Sequence, residues 1–304
     1  MHISVLLEEC IENLNLKEDS IIVDCTLGYA GHSSEILKRI NKGKLYAFDQ
    51  DDIAIQASKE KLSKIGNNYE IINKNFVNLY EEIKKRTDKV DGILYDLGVS
   101  SPQLDVEERG FSFHNDAKLD MRMDKHNPLS AYEVVNNYSK QELTNILYKY
   151  GEEKYASSIA NKIVSYRENK KIETTLELVE IIKSGVPEKY RREKHPARKT
   201  FQAIRIEVNK ELDVFESSLR QALDLISVGG RICVITFHSL EDRICKEIFK
   251  EVSSVPQELK RMPIIPENLM PKYKLVANIT PSKKELENNN RSRSARLRVL
   301  ERVR

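Results

Sequence analysis

The segment from Asp24 to His32 constrains the fold of this chain more than any other part of the sequence. It reads Asp-Cys-Thr-Leu-Gly-Tyr-Ala-Gly-His, with an apolar run before it and apolar residues at helical spacing after it. A strand, a turn of small residues and the start of a helix form the first βα turn of many nucleotide-binding α/β domains. The segment therefore predicts a parallel sheet with helices packed against it.

Further strands alternate with helices on both sides of this turn. Apolar runs predict strands at 20–25, 44–49, 69–73 and 90–96, and helical patterns predict helices at 3–14, 51–65 and 76–86. Repeated βα units imply a sheet with helices on both faces.

The alternation stops after the fourth strand, and residues 128–183 are helical in pattern throughout. Three capping-box matches begin there, at Ser130, Ser139 and Thr174, each with Glu three residues later. From residue 200 the βα pattern resumes. The sequence predicts a catalytic domain in two parts, 1–108 and 200–304, around an inserted helical domain at 109–199.

The resumed part begins with a helical stripe from Phe201 to Ile226, long enough for about seven turns. A strand at 231–237 and a helix at 240–250 follow, and residues 272–279 and 295–303 predict a closing pair of strands. Between that pair, the polar, Asn-rich segment 282–294 is predicted to be mobile.

Aspartates end three of the predicted strands, at positions 24, 49 and 96. Asp49 lies 18 residues after Gly31, the spacing at which an acid accepts hydrogen bonds from ribose hydroxyls. The chain has Gly28 and Gly31 but no G-x-G-x-x-G. A dinucleotide is therefore disfavoured, and S-adenosylmethionine, which has no pyrophosphate, is favoured.

Composition indicates a partner of negative charge. The net charge is only +3, but residues 188–205 hold seven Lys or Arg against two Glu, and residues 291–304 hold six Arg against one Glu. Local basic clusters suggest a bound polyanion, although a solvated, salt-bridged surface explains either cluster alone.

Cysteine and histidine usage argues against disulfides and against a metal. The four cysteines are scattered, and no histidine pairs with them at zinc-ligand spacing. Apolar runs are shorter than a bilayer span, and no signal-peptide pattern is present. We expect a cytoplasmic protein that binds no metal ion and does not associate with a membrane.

Longer motifs resemble one family, the bacterial 16S ribosomal RNA cytosine-N4 methyltransferases. These segments begin at His2 (HISVLLEE), Asp24 (DCTLGYAGHS), Asp91 (DGILYDLGVSSPQLD), Arg109 (RGFSF), Leu119 (LDMRMD), His195 (HPARKTFQAIRI), Thr236 (TFHSLEDR) and Arg291 (RSRSARLR). The resemblance implies a Rossmann-like class I methyltransferase fold with an inserted helical recognition domain. It also implies S-adenosylmethionine as methyl donor and the N4 amine of a decoding-centre cytidine of 16S ribosomal RNA as target.

Cofactor contacts carry over from the family to seven positions. They are Ala30, Gly31, His32, Asp49, Phe76, Asp96 and Gln103. Family members often have glycine where this chain has Ala30. Asp96 is also the catalytic candidate, because the N4 lone pair is delocalised into the ring and an acceptor on the N–H bonds helps the amine to pyramidalise.

Residues beyond the cofactor loop are candidates for RNA contact. They are Arg109, Phe113, Asp120, Arg122, Asp124, Arg198, Lys199, His238 and Arg293. The base must leave its stack to reach the methyl group, so an aromatic ring such as Phe113 is a candidate stacking partner. The expected partner is 16S ribosomal RNA, within the small ribosomal subunit or a late assembly particle. The oligomeric state stays open.

Three other functions share some of these features. A nicotinamide-dependent dehydrogenase would need G-x-G-x-x-G. An amino-methyltransferase acting on DNA typically has Asp/Asn-Pro-Pro-Tyr/Phe where this chain has Asp-Leu-Gly-Val from Asp96. A non-catalytic RNA-binding factor would need no acids at cofactor spacing. An amino-methyltransferase of DNA or of another RNA remains the main alternative.

Overall fold

The structure is a computed structural model, and it describes residues 4–99, 106–193, 195–257, 259 and 265–304. The chain forms two compact units. Unit 1 comprises Met1–Gly98 and Leu212–Arg304, and unit 2 comprises Val99–Glu211. The insertion is therefore longer at both ends than the range 109–199 expected from the helical pattern.

Unit 1 is built on a seven-stranded sheet with the order β3-β2-β1-β4-β5-β7-β6. The strands are β1 (Ile21–Asp24), β2 (Lys44–Asp49), β3 (Tyr69–Asn73), β4 (Val90–Asp96), β5 (Ile226–Thr236), β6 (Tyr273–Ile279) and β7 (Arg296–Arg302). The first five strands are parallel to one another, and β7 pairs antiparallel with both β5 and β6. The predicted α/β class with a mostly parallel sheet is confirmed.

Thirteen α-helices lie in the described part of the chain. They are α1 (Leu7–Asn13), α2 (Gly31–Arg39), α3 (Asp52–Leu62), α4 (Leu79–Lys84), α5 (Ala131–Asn137), α6 (Lys140–Gly151), α7 (Ala156–Arg167), α8 (Thr175–Ser184), α9 (Glu188–Glu193), α10 (Ala197–Asn209), α11 (Glu211–Leu225), α12 (Ser239–Ser253) and α13 (Lys283–Asn288). Helices α5 to α10 belong to unit 2, and short 3₁₀ turns cover Phe76–Asn78, Glu107–Arg109, Glu267–Leu269 and Asn290–Ser294.

The sheet separates two apolar cores, because successive strand residues point to opposite faces. On one face, Phe48 and Tyr95 pack with residues of α11 and α12 such as Phe215. On the other face, Ile22 and Leu94 pack with residues of α1 and α2. Burial on both faces explains why the central strands read as continuous apolar runs.

The prediction of one continuous helix from Phe201 to Ile226 is wrong, because the structure has two helices there. Lys210 adopts a left-handed conformation, with φ of 51°, and ends α10 before α11 begins. The last residue of the predicted stripe, Ile226, opens β5 instead. The apolar stripe continues across the break because both helices bury one face.

The segment 282–294, predicted to be mobile, is helical in the structure. Ser282 caps α13 by accepting a hydrogen bond from the backbone amide of Glu285. Glu285 in turn accepts a hydrogen bond of 2.8 Å from the amide of Leu6, 279 residues earlier. This tertiary contact gives the polar segment a fixed partner.

Unit 2 uses the capping signals read from the sequence. Ser139 and Thr174 form complete capping boxes at the starts of α6 and α8, whereas Ser130 only accepts a hydrogen bond from the amide of Glu133. Apolar residues of the helices of unit 2 are fully buried, among them Leu147 of α6 and Ile204 of α10. Helix α10 packs mainly against α6.

Candidate active site at the carboxyl ends of the strands

Three aspartates meet at one edge of the sheet. Asp24, Asp49 and Asp96 are the last residues of β1, β2 and β4, and these strands are neighbours in the order β2-β1-β4. Ligands of open α/β sheets bind outside the carboxyl ends of the strands. The structure therefore gathers the three acids where the sequence predicted a ligand.

The turn after β1 is held by Asp49. One of its carboxylate oxygens, Oδ2, accepts a hydrogen bond of 2.8 Å from the amide of Gly28, whose φ is +49°. The other oxygen accepts hydrogen bonds from the amides of Gln50 and Asp51. Burial raises the pKa of Asp49 to about 6, and these backbone donors oppose the rise. Asp49 thus shapes the turn, while Oδ2 keeps one lone pair for a further donor.

Helix α2 begins directly after this turn. Its N-cap, Ala30, is fully buried in a left-handed conformation with φ of 52°, and Gly31 is the first helical residue. The first amides of a helix have no acceptor within it, so they favour negatively charged groups. A ligand carboxylate at this turn would find such donors.

Asp24 is an internal anchor beneath the turn. Its oxygens accept hydrogen bonds from the Ser33 hydroxyl at 2.7 Å and from the amide and hydroxyl of Thr26. Burial raises its pKa, and the bond from Ser33 opposes the rise. With both oxygens occupied and 1% of the residue exposed, Asp24 holds the scaffold.

Asp96 differs from the other two acids because one of its oxygens is orphaned. Its amide donates a 2.7 Å hydrogen bond to the Thr26 hydroxyl. Oδ1 is buried, and no group in the described part of the chain donates to it. Burial, then the charges of Asp24 and Glu241, raise the pKa of Asp96 to about 8. A buried acceptor without a donor is costly to a fold and often marks a functional site.

The second oxygen of Asp96 faces His32 in α2. Oδ2 lies 3.5 Å from Nδ1 of His32, and the side chain of Asp96 is 26% exposed against 5% for His32. The other ring nitrogen of His32, Nε2, lies 3.1 Å from the carbonyl oxygen of Val5. The imidazole is therefore held between the N-terminal segment and the catalytic candidate.

Phe76 lies in the 3₁₀ turn that follows β3. Its ring meets Tyr95 edge to face, with centroids 5.7 Å apart, and it is partly buried against the core below. Phe76 follows β3, which is next to the strand that ends in Asp49. This placement would allow its ring to contact an adenine ring. Of the seven predicted cofactor contacts, Gln103 lies outside the described residues.

Glu241 is a site residue whose role the sequence did not reveal. It lies in the first turn of α12 and is 2% exposed. Its Oε2 accepts hydrogen bonds from the amides of Phe237 and His238, and its Oε1 lies 3.0 Å from Nε2 of His238. Because its charge also raises the pKa of Asp96, Glu241 belongs to the electrostatics of the site. In the sequence, a glutamate at the third position of a helix indicates only a capping residue. Its effect on the pKa of Asp96 depends on the tertiary structure.

The predicted RNA contacts in unit 2 divide into buried and exposed residues. Arg109 is 6% exposed and donates to the carbonyl oxygens of Arg122 and Met123, so it offers little surface to a ligand. Asp120 and Arg122 pair with each other, and Asp124 accepts a hydrogen bond from the amide of His126. These four side chains stabilise the 106–127 segment.

Phe113 belongs to an aromatic cluster with His195. The two rings stack with centroids 4.4 Å apart and an interplanar angle of 26°. His114 and Phe201 flank Phe113 at 4.4 and 5.7 Å. The cluster gives unit 2 a partly exposed aromatic surface.

Cationic candidates lie at the start of α10 and near the C-terminus. Arg198 is exposed, while Lys199 donates to the carbonyl oxygen of Glu152 at 2.6 Å. In unit 1, Arg293 is exposed in the turn before β7, and the ring of His238 is mostly buried beside Glu241. Arg198, Lys199 and Arg293 are thus the predicted cations that reach the surface.

The described residues contain neither a candidate metal site nor a candidate membrane span. No group of three or more His, Cys, Asp or Glu side chains is arranged to hold a metal ion there. Within the same ranges, no helix combines the length and the apolar character needed to cross a membrane.

Comparison with known proteins identifies the family. The model of the MraW methylase family matches residues 1–303. Ribosomal RNA small subunit methyltransferase H of Exiguobacterium sibiricum is 56% identical over 306 aligned residues, which cover 99% of this chain and 98% of that protein.

Similarity to solved structures is weaker. An rRNA methylase from Streptococcus thermophilus aligns over 98% of this chain and 94% of that chain, at 13% identity and a TM-score of 0.44. TrmN from Thermus thermophilus aligns over 98% of this chain and 48% of that chain, at 12% identity and a TM-score of 0.43. TM-scores of this size do not establish a relationship. The match of the family model to residues 1–303 does establish it. The chain belongs to the MraW methylase family.

Proposed function

We propose that this protein transfers a methyl group from S-adenosylmethionine to the N4 amine of a decoding-centre cytidine in 16S ribosomal RNA. The observation that carries the proposal is the buried, orphaned Oδ1 of Asp96 at the carboxyl edge of the sheet, in a chain of a methylase family. An exocyclic amine offers the N–H donors that this oxygen lacks.

The residues at the sheet edge fit S-adenosylmethionine. Oδ2 of Asp49 retains acceptor capacity for one ribose hydroxyl, Phe76 presents an apolar ring, and the amides of Gly31 and His32 lie in the first turn of α2. When bound, the cofactor supplies an electrophilic methyl group attached to a sulfonium. Asp24 and Glu241 lie close enough to Asp96 for their charges to raise its pKa.

Asp96 is proposed to make the N4 amine more nucleophilic. Its Oδ1 accepts one N4–H, and this draws nitrogen electron density away from the ring and toward the attacking lone pair. Because the scaffold of Thr26 and Asp24 fixes the backbone of Asp96, the acceptor is positioned before the substrate arrives. Preorganised polar groups of this kind supply a large share of enzymatic rate enhancement.

Unit 2 is proposed to recognise the RNA. Exposed Arg198 and neighbouring Lys199 offer charge to phosphates, and the Phe113–His195 stack offers an aromatic face to an unstacked base. The proposed substrate is the RNA within the small ribosomal subunit or a late assembly particle. A ribosomal substrate places the reaction in the cytoplasm.

Identification of the methylated nucleoside tests the proposal. Small subunits that lack the modification are incubated with the protein and S-adenosylmethionine labelled in the methyl group, and the RNA is digested for mass spectrometry. We expect label in N4-methylcytidine from 16S ribosomal RNA, and a much lower rate of labelling with Asp96→Asn. Label in another nucleoside, or only in DNA offered in parallel, would refute the assignment.

A further inference from the structure

The contacts of the His32 ring with Val5 and Asp96 indicate where its protons lie. A carbonyl oxygen only accepts, so Nε2 of His32 must carry the hydrogen in its 3.1 Å contact with Val5. In a neutral imidazole the other nitrogen, Nδ1, then carries a lone pair. That lone pair faces Oδ2 of Asp96 at 3.5 Å.

Two unprotonated atoms do not face each other stably, so one proton must lie between His32 and Asp96. The surroundings favour a neutral pair over an imidazolium and a carboxylate. The contact is almost fully buried on the histidine side, and burial disfavours charge. The acids Asp24 and Glu241 further disfavour a negative charge on Asp96, whose pKa is raised to about 8.

We propose that His32 is the positioning residue for Asp96, with the carboxyl proton on Oδ2 donated to Nδ1 of His32 in the resting protein. This leaves Oδ1 as a carbonyl-type acceptor, fixed in orientation and without a donor among the described residues. The inference deepens the proposed function and rests on it for the identity of the amine. The location of the proton rests on this structure alone.

The same arrangement removes the proton that methylation releases. The N4 lone pair forms the new C–N bond, and the electron pair of the broken C–S bond remains on sulfur. The N4–H bond then breaks as Oδ1 takes the proton, while Oδ2 gives its own proton to Nδ1 of His32. Asp96 stays neutral, and His32 becomes an imidazolium.

Charge is conserved within the site during this relay. One positive charge is lost at the sulfonium and one appears on His32. Asp24 and Glu241 are the acids that face the pair from β1 and α12, and buried Cys10 faces it from α1. No strong base is required, because the methylated amine is acidic and the acceptor needs only modest basicity.

The first test uses the protein without ligands. Nitrogen-15 spectra of the histidine rings at pH 7 should show His32 with a protonated Nε2 and an unprotonated, hydrogen-bonded Nδ1. Assignment uses His32→Gln, in which the His32 signals are missing. An imidazolium, or a neutral ring protonated at Nδ1, would overturn the proposal without any assay of activity.

The second test compares two variants on small subunits. His32→Gln keeps a donor for the Val5 carbonyl, and His32→Asn keeps an acceptor for the Asp96 carboxyl proton, but neither can take up the proton. Both should lower kcat about 10- to 100-fold at pH 7, with KM changed less than threefold. For His32→Gln, kcat should recover toward pH 9 as Asp96 ionises and accepts the proton directly, whereas the wild type should change little over that range.

The outcomes of these tests distinguish failure of the proton relay from failure of the proposed function. A kcat within twofold of wild type for both variants would overturn the relay. If thermal melting shows that either variant is unfolded, the ring spectra of the wild type decide. If those spectra are as expected but the wild type methylates no ribosomal RNA, the proposed function is wrong and the shared proton is supported.

Discussion

Replacing Asp96 with asparagine should stabilise the protein increasingly as pH rises. In the folded protein the pKa of Asp96 is raised from 3.8 to about 8. Between these values the folded state holds a proton that the unfolded chain has released. The free energy of unfolding of the wild type therefore falls with rising pH, by at most about 1.4 kcal/mol per pH unit from this group.

The size of the effect follows from that slope. From pH 5 to pH 8 the ceiling is about 4 kcal/mol. Because the side chain is 26% exposed, solvent reduces the cost, and we expect about 2 to 3 kcal/mol. Asparagine matches the protonated carboxyl in shape, and its amide can donate to Nδ1 of His32, so Asp96→Asn escapes the penalty.

Urea unfolding of both proteins at pH 5 and pH 8 measures the effect. The stability of Asp96→Asn relative to wild type should increase between the two pH values, since groups other than Asp96 and its partner His32 titrate alike in both proteins. Asp49→Asn is the comparison variant: it should be less stable than wild type because an amide NH₂ disrupts the three backbone hydrogen bonds that Asp49 accepts, and this difference should change little above about pH 6, the value to which the pKa of Asp49 is raised. A stability difference independent of pH would refute the claim that Asp96 is protonated in the fold.

Three further predictions concern the cofactor turn and the RNA surface. Asp49→Ala should weaken S-adenosylmethionine binding by about 1 to 3 kcal/mol in calorimetry, because a charged acceptor is lost; unchanged affinity would remove Asp49 from the ribose site. Ala30→Gly should change the free energy of unfolding by less than about 1 kcal/mol, since relief of the left-handed strain is offset by the loss of a buried methyl and by chain entropy; a loss above 2 kcal/mol in urea unfolding would contradict this. The double variant Arg198→Ala, Lys199→Ala should reduce the slope of log K against log salt for RNA by about 1 to 2, whereas exposed Lys162→Ala should leave it unchanged; equal slopes for all three proteins would place the RNA elsewhere.

Strand positions could be predicted closely because local sequence determines them. The structure gives β2, β3 and β4 the predicted bounds, since each is an apolar run and two of the three end in Asp. The clustering of Asp24, Asp49 and Asp96 also followed from topology alone. These features depend on periodicity and on the parallel order of the strands.

Tertiary contacts explain what the sequence did not reveal. The break at Lys210 interrupts no apolar stripe and contains no glycine or proline, so nothing local signals it. The pairing of Glu285 with Leu6 joins the two ends of the chain, and burial of Arg109 depends on carbonyl groups thirteen and fourteen residues later. The tautomer of His32 likewise depends on Val5, which no motif connects to it.

The central claim is that Asp96 acts on the target amine. The most direct measurement compares Asp96→Asn with wild type in single-turnover methylation of small subunits, with S-adenosylmethionine affinity measured in parallel. The rate should fall by about 10²- to 10⁴-fold while the Kd for the cofactor changes less than threefold. A rate within threefold of wild type, or a loss of rate matched by the loss of cofactor affinity, would contradict it.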